Sequence, residues 1–409
     1  MSEERFLDLI TPGASVYVSG STSEPRGLLK IIAENARTTS GIRWMQFPIG
    51  AVNRSDLSAL TADSTEEAFF MSPSLKDGFS EGRVQFLPLH MRTVFDYLRD
   101  QDLDVALLQA APDRNGVLRF GPNIDFLDAV TQSAKHLVVE VNDAFVAPFS
   151  CPLVPDRAIK VPVKSDKPLF PTVTLDETSE KIGALIASVI KDGDCIQTGI
   201  GAVPAAILAN LGDCSDLGFH GGLIDDGVMK LIRDGNLNGA RKNIDRARHT
   251  TGMALGSEEL LDWLAHDPLA ESVLFRSADY THEFRVISQI DNFVSINSAV
   301  EIDLMGQVNA EVAGGKQISG TGGSVDFMRS AKASKGGRSI IAMSATARGG
   351  SVSRIVPRVE VVTALRTDVD IVVTEFGIAD IRYDSLGSRA EKLIAIAHPD
   401  FHNELRSAL

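Results

Sequence analysis

Short apolar runs alternate with amphipathic stretches along most of the chain. Strongly apolar runs lie at 105–110, 339–343 and 371–374, as is typical of strands buried on both faces of a sheet. Stretches with apolar residues at helical spacing lie at 28–34 and 386–397. Because strands that alternate with helices are typical of a mainly parallel sheet covered on both faces, the pattern predicts an α/β fold.

The same pattern predicts further elements. Strands are expected at 15–20, 83–89, 137–142, 195–197, 248–255 and 293–304, and helices at 93–99, 175–191 and 257–264. Ser257 is the predicted N-cap of the last of these helices. Prolines recur in the segment 148–176, which we interpret as a linker or covering arm. The predicted domains are therefore 1–176 and 177–409.

Composition narrows the class of protein. The chain has 409 residues, a formal charge of −14 and a pI near 5.1, which argues against nucleic acid or an anionic membrane as the main partner. The first five residues lack the features of a signal peptide, and no apolar run approaches the ~18 residues of a membrane helix. Cys151, Cys195 and Cys214 lack metal-site spacing and are predicted to be free thiols. We therefore expect a soluble cytoplasmic protein.

A glycine turn in the middle of the chain is the first candidate site. The predicted strand 195–197 is followed by Gly199-Ile200-Gly201 and by a helix that is predicted to begin at Pro204. Backbone N–H groups at such a helix start can face an anion or a thioester oxygen. The pattern alone is equally typical of a structural turn. A dinucleotide site is disfavoured because Pro204 replaces the third glycine of the motif, and no P-loop motif occurs.

Other clusters carry weaker signals. A second strand-to-helix junction at 217–227 contains Asp225 and Asp226 near the predicted helix start, and a third glycine turn lies at 317–323. His398 and His402 are four residues apart, but no third ligand lies nearby, so no metal site is predicted.

Several ordered motifs resemble one known family. They are GIGAVP (199–204), DDGV (225–228), VSINSAVEIDLMGQVNAE (294–311), QISGTGGSVDF (317–327), SRIVP (353–357), VVTEFGIADIR (372–382) and IAIAHPDF (394–401). The N-terminal half matches more loosely, through SGSTSEP at 19–25. On these motifs, which together span essentially the whole chain, it resembles the acetyl-CoA hydrolase/transferase family, the coenzyme A transferases that include 4-hydroxybutyrate CoA-transferase.

The resemblance implies two similar α/β domains with the active site between them. It implies that coenzyme A, as part of an acyl-CoA substrate, is bound without a metal. The implied contacts are Gly199, Ile200, Gly201, Ala202, Val203, Val300, Gly322 and Gly323, with Arg348 at the phosphates. The backbone N–H groups of the turn at 322–323 could form an oxyanion hole. We also expect a homodimer or a higher homo-oligomer.

The chain departs from the family pattern at two positions that take part in the reaction of CoA-transferring members. Gly222 stands where members that transfer CoA carry a nucleophilic glutamate, and His282 stands where they carry an asparagine. The proline that usually follows is Phe284. Losing the glutamate side chain is expected to open space where its carboxylate would stand.

His282 is the first candidate for general acid–base catalysis because histidine titrates nearest neutral pH. His220 and Asp225 are further candidates, each with an alternative role in packing or at a helix start. Glu301 could replace the lost nucleophile, although hydrogen bonding within the fold is favoured for it. Glu375 and Asp380 are interpreted as residues that support the fold.

These observations favour an enzyme that lets water attack an acyl-CoA. The bond cut is either the thioester or a carbon–carbon bond of an oxo-acyl-CoA. One alternative is a conventional transferase that passes CoA to a small carboxylate through another carboxylate such as Glu301. The other is a non-catalytic acyl-CoA binder, or a subunit that depends on a partner chain.

Overall fold

The computed structural model describes residues 6–171 and 173–409, so the prediction about a signal peptide falls outside the described residues. The chain forms two compact units. The first takes the chain up to residue 172 and regains it in the segments Leu223–Asp226 and Thr250–Thr281. The second consists of Val173–Gly222, Gly227–His249 and His282–Leu409. The domain boundary predicted at residue 176 stays a prediction.

An eight-stranded sheet forms the centre of the first unit. The order of its paired strands is Val84–Phe86, Thr65–Ala68, Arg43–Gln46, Ser15–Val18, Leu103–Pro112, Ala134–Val141 and Ile159–Pro162. These neighbours pair in parallel, and the eighth strand, Leu118–Phe120, runs antiparallel beside Leu103–Pro112. Val105 lies opposite Val16 and His136 and is fully buried, as its apolar run predicts.

The proline-rich segment contains one of these strands. Ile159–Pro162 pairs in parallel with Ala134–Val141, and Val161 is buried in the core. The interpretation of 148–176 as only a linker or covering arm is therefore wrong for this part. Alternating apolar residues give the strand one buried face, and its position at the sheet edge tolerates Pro162.

A six-stranded sheet forms the centre of the second unit. Its order is Gly218–Phe219, Cys195–Gln197, Phe293–Asn297, Arg338–Ala342, Ile371–Thr374 and Gly377–Asp380. Only the last pair is antiparallel among these described strands. The α/β fold class, with a mainly parallel sheet in each unit, is confirmed.

Helices and short strands complete the described chain. The α-helices are Arg26–Glu34, Lys76–Ser80, Met91–Arg99, Leu127–Ser133, Glu177–Ala187, Ala202–Ala209, Asp226–Arg233, Glu258–His266, Ala278–Thr281, Phe284–Ile287, Ser324–Ala333, Leu386–Ala395 and His402–Ser407. The short strands are Leu223–Ile224, His249–Thr251, Met253–Ala254, Val273–Phe275, Glu301–Asp303, Val308–Asn309, Val312–Ala313, Lys316–Gln317, Thr346–Ala347, Val352–Ser353 and Ile355–Val356. Short 3-10 helices are also present.

Two local predictions, on a helix cap and on the cysteines, are confirmed. Ser257 is confirmed as an N-cap, because its hydroxyl accepts a hydrogen bond from the Leu260 N–H. The three cysteines are free thiols, as predicted. Within the ranges 6–171 and 173–409, no helix combines the length and apolar character needed to cross a membrane.

Candidate active site

Three of the predicted site segments follow neighbouring strands of the second unit. The strands Gly218–Phe219, Cys195–Gln197 and Phe293–Asn297 pair in parallel, so their carboxyl ends lie at the same edge of the sheet. His220–Gly222 follows the first of them, and Gly199 follows the second. Val300 follows the third. Ligands of open α/β sheets bind outside this edge, so the fold brings these segments to a suitable place.

The first glycine turn leads directly into a helix. The helix begins at Ala202, two residues earlier than predicted, and Pro204 lies in its first turn, where a missing N–H costs nothing. Its N-cap Gly201 has a φ of +114°, a conformation that residues with a side chain rarely adopt. A methyl group built on Gly199 or Gly201 would meet no atom within 4 Å. The backbone of this turn is therefore open to a ligand.

The imidazole ring of His282 lies between two glycines. A Cβ atom built on Gly222 would lie 3.0 Å from the ring Cε1 and 3.1 Å from Nε2. A Cβ atom built on Gly323 would lie only 2.3 Å from Nε2 and 2.4 Å from Cδ2. One edge of the ring therefore occupies the space that side chains at 222 and 323 would need.

This position of the ring bears on one expectation. The loss of the glutamate was expected to open space where its carboxylate would stand, and the His282 ring lies against the Cβ position of residue 222, at the start of that space. The physical reason is that a buried ring must pack closely, and an imidazole is larger than the asparagine side chain of the family pattern. The two departures from the pattern, at 222 and 282, are thus in direct contact.

Aromatic packing holds the ring in place. His282 is 3% exposed, and its ring centroid lies 4.6 Å from that of Phe327. Phe327 packs against Phe293, which in turn makes an edge contact with His220. The sequence did not single out Phe327, although it ends the glycine-rich motif at 317–327. The two candidate histidines belong to one buried aromatic cluster.

Burial keeps the candidate histidine uncharged. Burial, and after it the neighbouring His220, lowers the pKa of His282 to about 3. Burial also lowers the pKa of His249 to about 3, with the cation of Lys242 as the second cause. At neutral pH both rings are therefore neutral, which is the protonation state that a general base requires.

We expect these depressed pKa values to cost stability in acid. The unfolded chain binds a proton at His282 below pH ~6.5, whereas the folded chain does so only near pH 3. The folded state therefore loses stability through this group as the pH falls through that window. The stability of His282→Gln relative to that of wild type should therefore rise by up to about 1.4 kcal/mol for each pH unit below 6.5.

Urea denaturation of both proteins between pH 7.5 and 4.5 measures this difference. His136→Gln is the control, because His136 is exposed. A wild-type minus His282→Gln difference that does not change with pH would show that the ring titrates normally in the folded state.

The third glycine turn begins the helix Ser324–Ala333. Gly323 is the N-cap of this helix, and Gly322 before it has a φ of +56°. The N–H groups of the first helical turn point towards the helix start, where negative charge is stabilised. Gly323 is also the glycine that the His282 ring contacts, so the ring and this helix start are neighbours.

The remaining candidates differ in their surroundings. Glu301 accepts hydrogen bonds from the Asn309 amide at 3.0 Å and from the Glu360 N–H at 3.1 Å, which favours a role in the fold. Glu375 likewise accepts a bond from the backbone N–H of Ala345. Asp225 is half-buried in the first unit.

Arg348 lies at the tip of a short hairpin in the second unit. The strands Thr346–Ala347 and Val352–Ser353 pair in antiparallel fashion, and Arg348 between them is exposed with a φ of +51°. An exposed guanidinium on a hairpin tip is accessible to an anionic ligand.

Two further features lie outside this candidate site. A cleft of about 800 Å³ in the first unit is lined by the cations Arg26, Lys30 and Arg54, and none of the predicted site residues lines it. His398 and His402 act locally, since His398 accepts from the Asp400 N–H and His402 contacts the Ala397 carbonyl. Among residues 6–171 and 173–409 no group of three metal-binding side chains occurs.

Comparison with solved structures places this fold among the coenzyme A transferases. RipA from Yersinia pestis is 30% identical, with a TM-score of 0.86 over 100% of this chain and 96% of its own. A 4-hydroxybutyrate CoA-transferase from Porphyromonas gingivalis is 31% identical, with a TM-score of 0.78 over 99% and 95% of the two chains. The class of protein is therefore a two-domain enzyme of the CoA-transferase fold.

Sequence comparison gives the family. The acetyl-CoA hydrolase/transferase N-terminal domain matches residues 1–150, and the C-terminal domain of the same name matches residues 256–409. The 4-hydroxybutyrate coenzyme A transferase of Clostridium kluyveri is 34% identical over 99% of this chain and 96% of its own. An acetyl-CoA hydrolase of Yarrowia lipolytica is 27% identical over 80% and 71%. The chain belongs to the acetyl-CoA hydrolase/transferase family and is an enzyme of this type.

Proposed function

We propose that this enzyme hydrolyses an acyl-CoA without forming a covalent enzyme–CoA intermediate. The observation that carries the proposal is the contact of His282 with Gly222 and Gly323. Glycine has no side chain that can attack a thioester, and an imidazole occupies the adjacent position. The group beside the proposed oxyanion site is therefore an imidazole, which can accept a proton, and not a carboxylate nucleophile.

The reaction balances with water as the only co-reactant. Water adds to the acyl carbon, and its proton passes to the imidazole of His282. The carbonyl oxygen becomes an oxyanion, which the N–H groups at the start of the helix Ser324–Ala333 would stabilise. The carbon–sulfur bond then breaks, the proton passes to the departing thiolate, and a carboxylic acid and free CoA are released.

The low pKa of His282 fits this role only if the reaction itself raises the pKa. In the free enzyme the ring is neutral, because its pKa is about 3. An oxyanion that forms beside the ring favours the imidazolium, since a nearby opposite charge stabilises the charged form. The ring therefore becomes more basic as the carbon–oxygen bond forms. A neutral ring that donates an N–H bond to the acyl oxygen is the competing role.

Two choices remain within the hydrolytic proposal. The thioester is the bond whose cleavage needs only the groups described above. Cleavage of a carbon–carbon bond in an oxo-acyl-CoA would use the same water, base and oxyanion site, with a carbanion as leaving group. A set of straight-chain and oxo-acyl-CoA substrates distinguishes the two by whether the product still carries CoA.

A conventional CoA transfer is the second candidate function. It is favoured by the similarity of the chain to transferases such as the 4-hydroxybutyrate coenzyme A transferase of Clostridium kluyveri. Glu301 would be the nucleophile, but its carboxylate accepts bonds from Asn309 and Glu360, which hold it in the fold. We therefore prefer hydrolysis, with acyl-CoA as the partner and a small carboxylate as product.

Product analysis by mass spectrometry tests the proposal. Acyl-CoA substrates are incubated with the enzyme, with and without acetate, and the enzyme mass is recorded. We expect release of free CoA that does not depend on acetate, and no adduct on the protein. A rate that requires acetate, or an adduct that maps to Glu301, would restore the transferase.

We expect Arg348→Ala to weaken CoA binding by about 1.5–3 kcal/mol, the range for a hydrogen bond to a charged group. The reason is its exposed guanidinium, which is proposed to contact the CoA phosphates. Calorimetry with CoA measures the effect, and Arg406→Ala on the C-terminal helix is the control. Wild-type affinity in Arg348→Ala would remove this residue from the site.

A further inference from the structure

A buried lysine lies behind the turn that carries His220 and Gly222. Lys242 is 4% exposed, and its Nζ donates hydrogen bonds to the Phe219 carbonyl at 3.0 Å and to the Arg248 carbonyl at 2.9 Å. Lysine is rarely buried to this extent unless it is paired. Its two acceptors here are neutral backbone carbonyls, so the residue is an unusual feature that needs a reason.

Each of the two acceptor carbonyls belongs to the residue that precedes a buried histidine. Phe219 is the last residue of its strand and precedes His220, whereas Arg248 precedes His249. Lys242 thus holds the backbone immediately before two buried histidines. One of these histidines begins the segment His220–Gly222, whose glycine contacts the ring of His282.

The aliphatic part of the Lys242 side chain is closely packed as well. A Cβ atom built on Gly218 would lie 2.6 Å from Lys242 Cγ and 2.9 Å from Cδ. The aliphatic part of the side chain therefore crosses the strand Gly218–Phe219 where only glycine leaves room. This close packing restricts the ammonium group to one place beside the strand end.

We propose that Lys242 is a positioning residue for the proposed reaction, one that fixes the turn His220–Gly222 through the Phe219 carbonyl. The inference rests on the proposed function, because it assigns a purpose to the exact placement of Gly222 against His282. An error of ~1 Å in such a placement can cost ~100-fold in rate.

The charge of the lysine has a second effect that can be measured. It is the second cause, after burial, of the low pKa of His249. The other charged or titratable groups near it are Cys195 and Asp245, and Asp194 lies near Cys195. Burial lowers the pKa of Lys242 itself, while Cys195 and Asp245 raise it. Removing the cation should therefore raise the pKa of His249.

The test compares the wild-type protein with the variant Lys242→Met, which keeps most of the side-chain length but removes its charge and donors. We expect kcat for acyl-CoA hydrolysis to fall about 10–100-fold, with KM changed less than about 3-fold. Lys230→Met is the matched control, because Lys230 lies on an exposed helix face and pairs with Asp234. It should keep both constants.

Histidine titration by NMR tests separately whether the charge of Lys242 acts on His249. In Lys242→Met the His249 resonance should titrate at higher pH than in wild type, and Lys242→Arg should restore part of the shift. If Lys242→Met does not fold, Gly218→Ala supplies the same test, because its methyl group displaces the lysine stem.

The outcomes are distinct. Wild-type kcat in Lys242→Met, or a change in KM as large as the change in kcat, would overturn the assignment. If the wild-type enzyme cleaves no acyl-CoA, the proposed function fails. The titration still shows whether the charge of Lys242 acts on His249.

Discussion

His282→Asn is expected to lower the rate of acyl-CoA cleavage by ~100-fold or more, the usual contribution of a positioned general base. The ring is buried between Gly222 and Gly323 and is neutral at working pH. Asparagine can donate and accept hydrogen bonds but cannot take a proton from water. The measurement is single-turnover release of the CoA thiol from pH 5 to 9.

The pH dependence and a second variant sharpen this test. Because its pKa lies near 3, His282 should cause no acid limb in kcat/KM between pH 5 and 8. His282→Ala should lose as much rate as His282→Asn if the ring is a base. If Asn keeps near wild-type rate while Ala does not, the ring is a hydrogen-bond donor. If both keep it, His220 and Asp225 are tested next.

Gly222→Glu is expected to inactivate the enzyme rather than convert it into a transferase. Even the Cβ atom of the new side chain would lie 3.0 Å from the His282 ring, so the ring must move. The displaced ring would have to pass Phe327, whose ring centroid lies 4.6 Å from that of His282. We expect loss of hydrolysis by at least ~100-fold, since misplacement by ~1 Å has this effect.

The double variant Gly222→Glu with His282→Asn should recover part of the lost function as CoA transfer. The smaller asparagine side chain leaves room for the glutamate, and the pair restores both residues of the family pattern. Acetate-dependent CoA exchange and an adduct at residue 222 measure it. Gly212→Glu is the control, because this exposed glycine lies outside the predicted site and an added side chain there would enter open space. A fully active Gly222→Glu single variant would show that His282 does not restrict this position.

Much of the fold follows from local pattern. The strand Leu103–Pro112 is buried along most of its length, so its apolar run was sufficient to predict it. The strand Ile159–Pro162 was missed because the prolines near it are typical of loops. Prolines are tolerated in an edge strand, and its place at the sheet edge becomes visible only from its pairing with Ala134–Val141. The start of the helix Ala202–Ala209 was placed two residues late because Pro204 suits several positions of a first turn.

The candidate site was predicted in its residues but not in its packing. Motif comparison pointed to Gly222, His282 and Gly323 as separate positions. Their mutual contact depends on the path of the chain through the second unit, and glycines give no sign of what lies against them. Lys242 was missed because a lone lysine in a polar loop is usually exposed, and only the structure shows its burial.

The two units are interleaved along the chain. The first unit regains Leu223–Asp226 immediately after Gly222, and the chain returns to the second unit at His282. No single cut therefore yields two complete halves. A gene split near residue 176 would leave the N-terminal fragment without two segments that pack within it, and recombination at one point could not exchange a whole unit with a homologue.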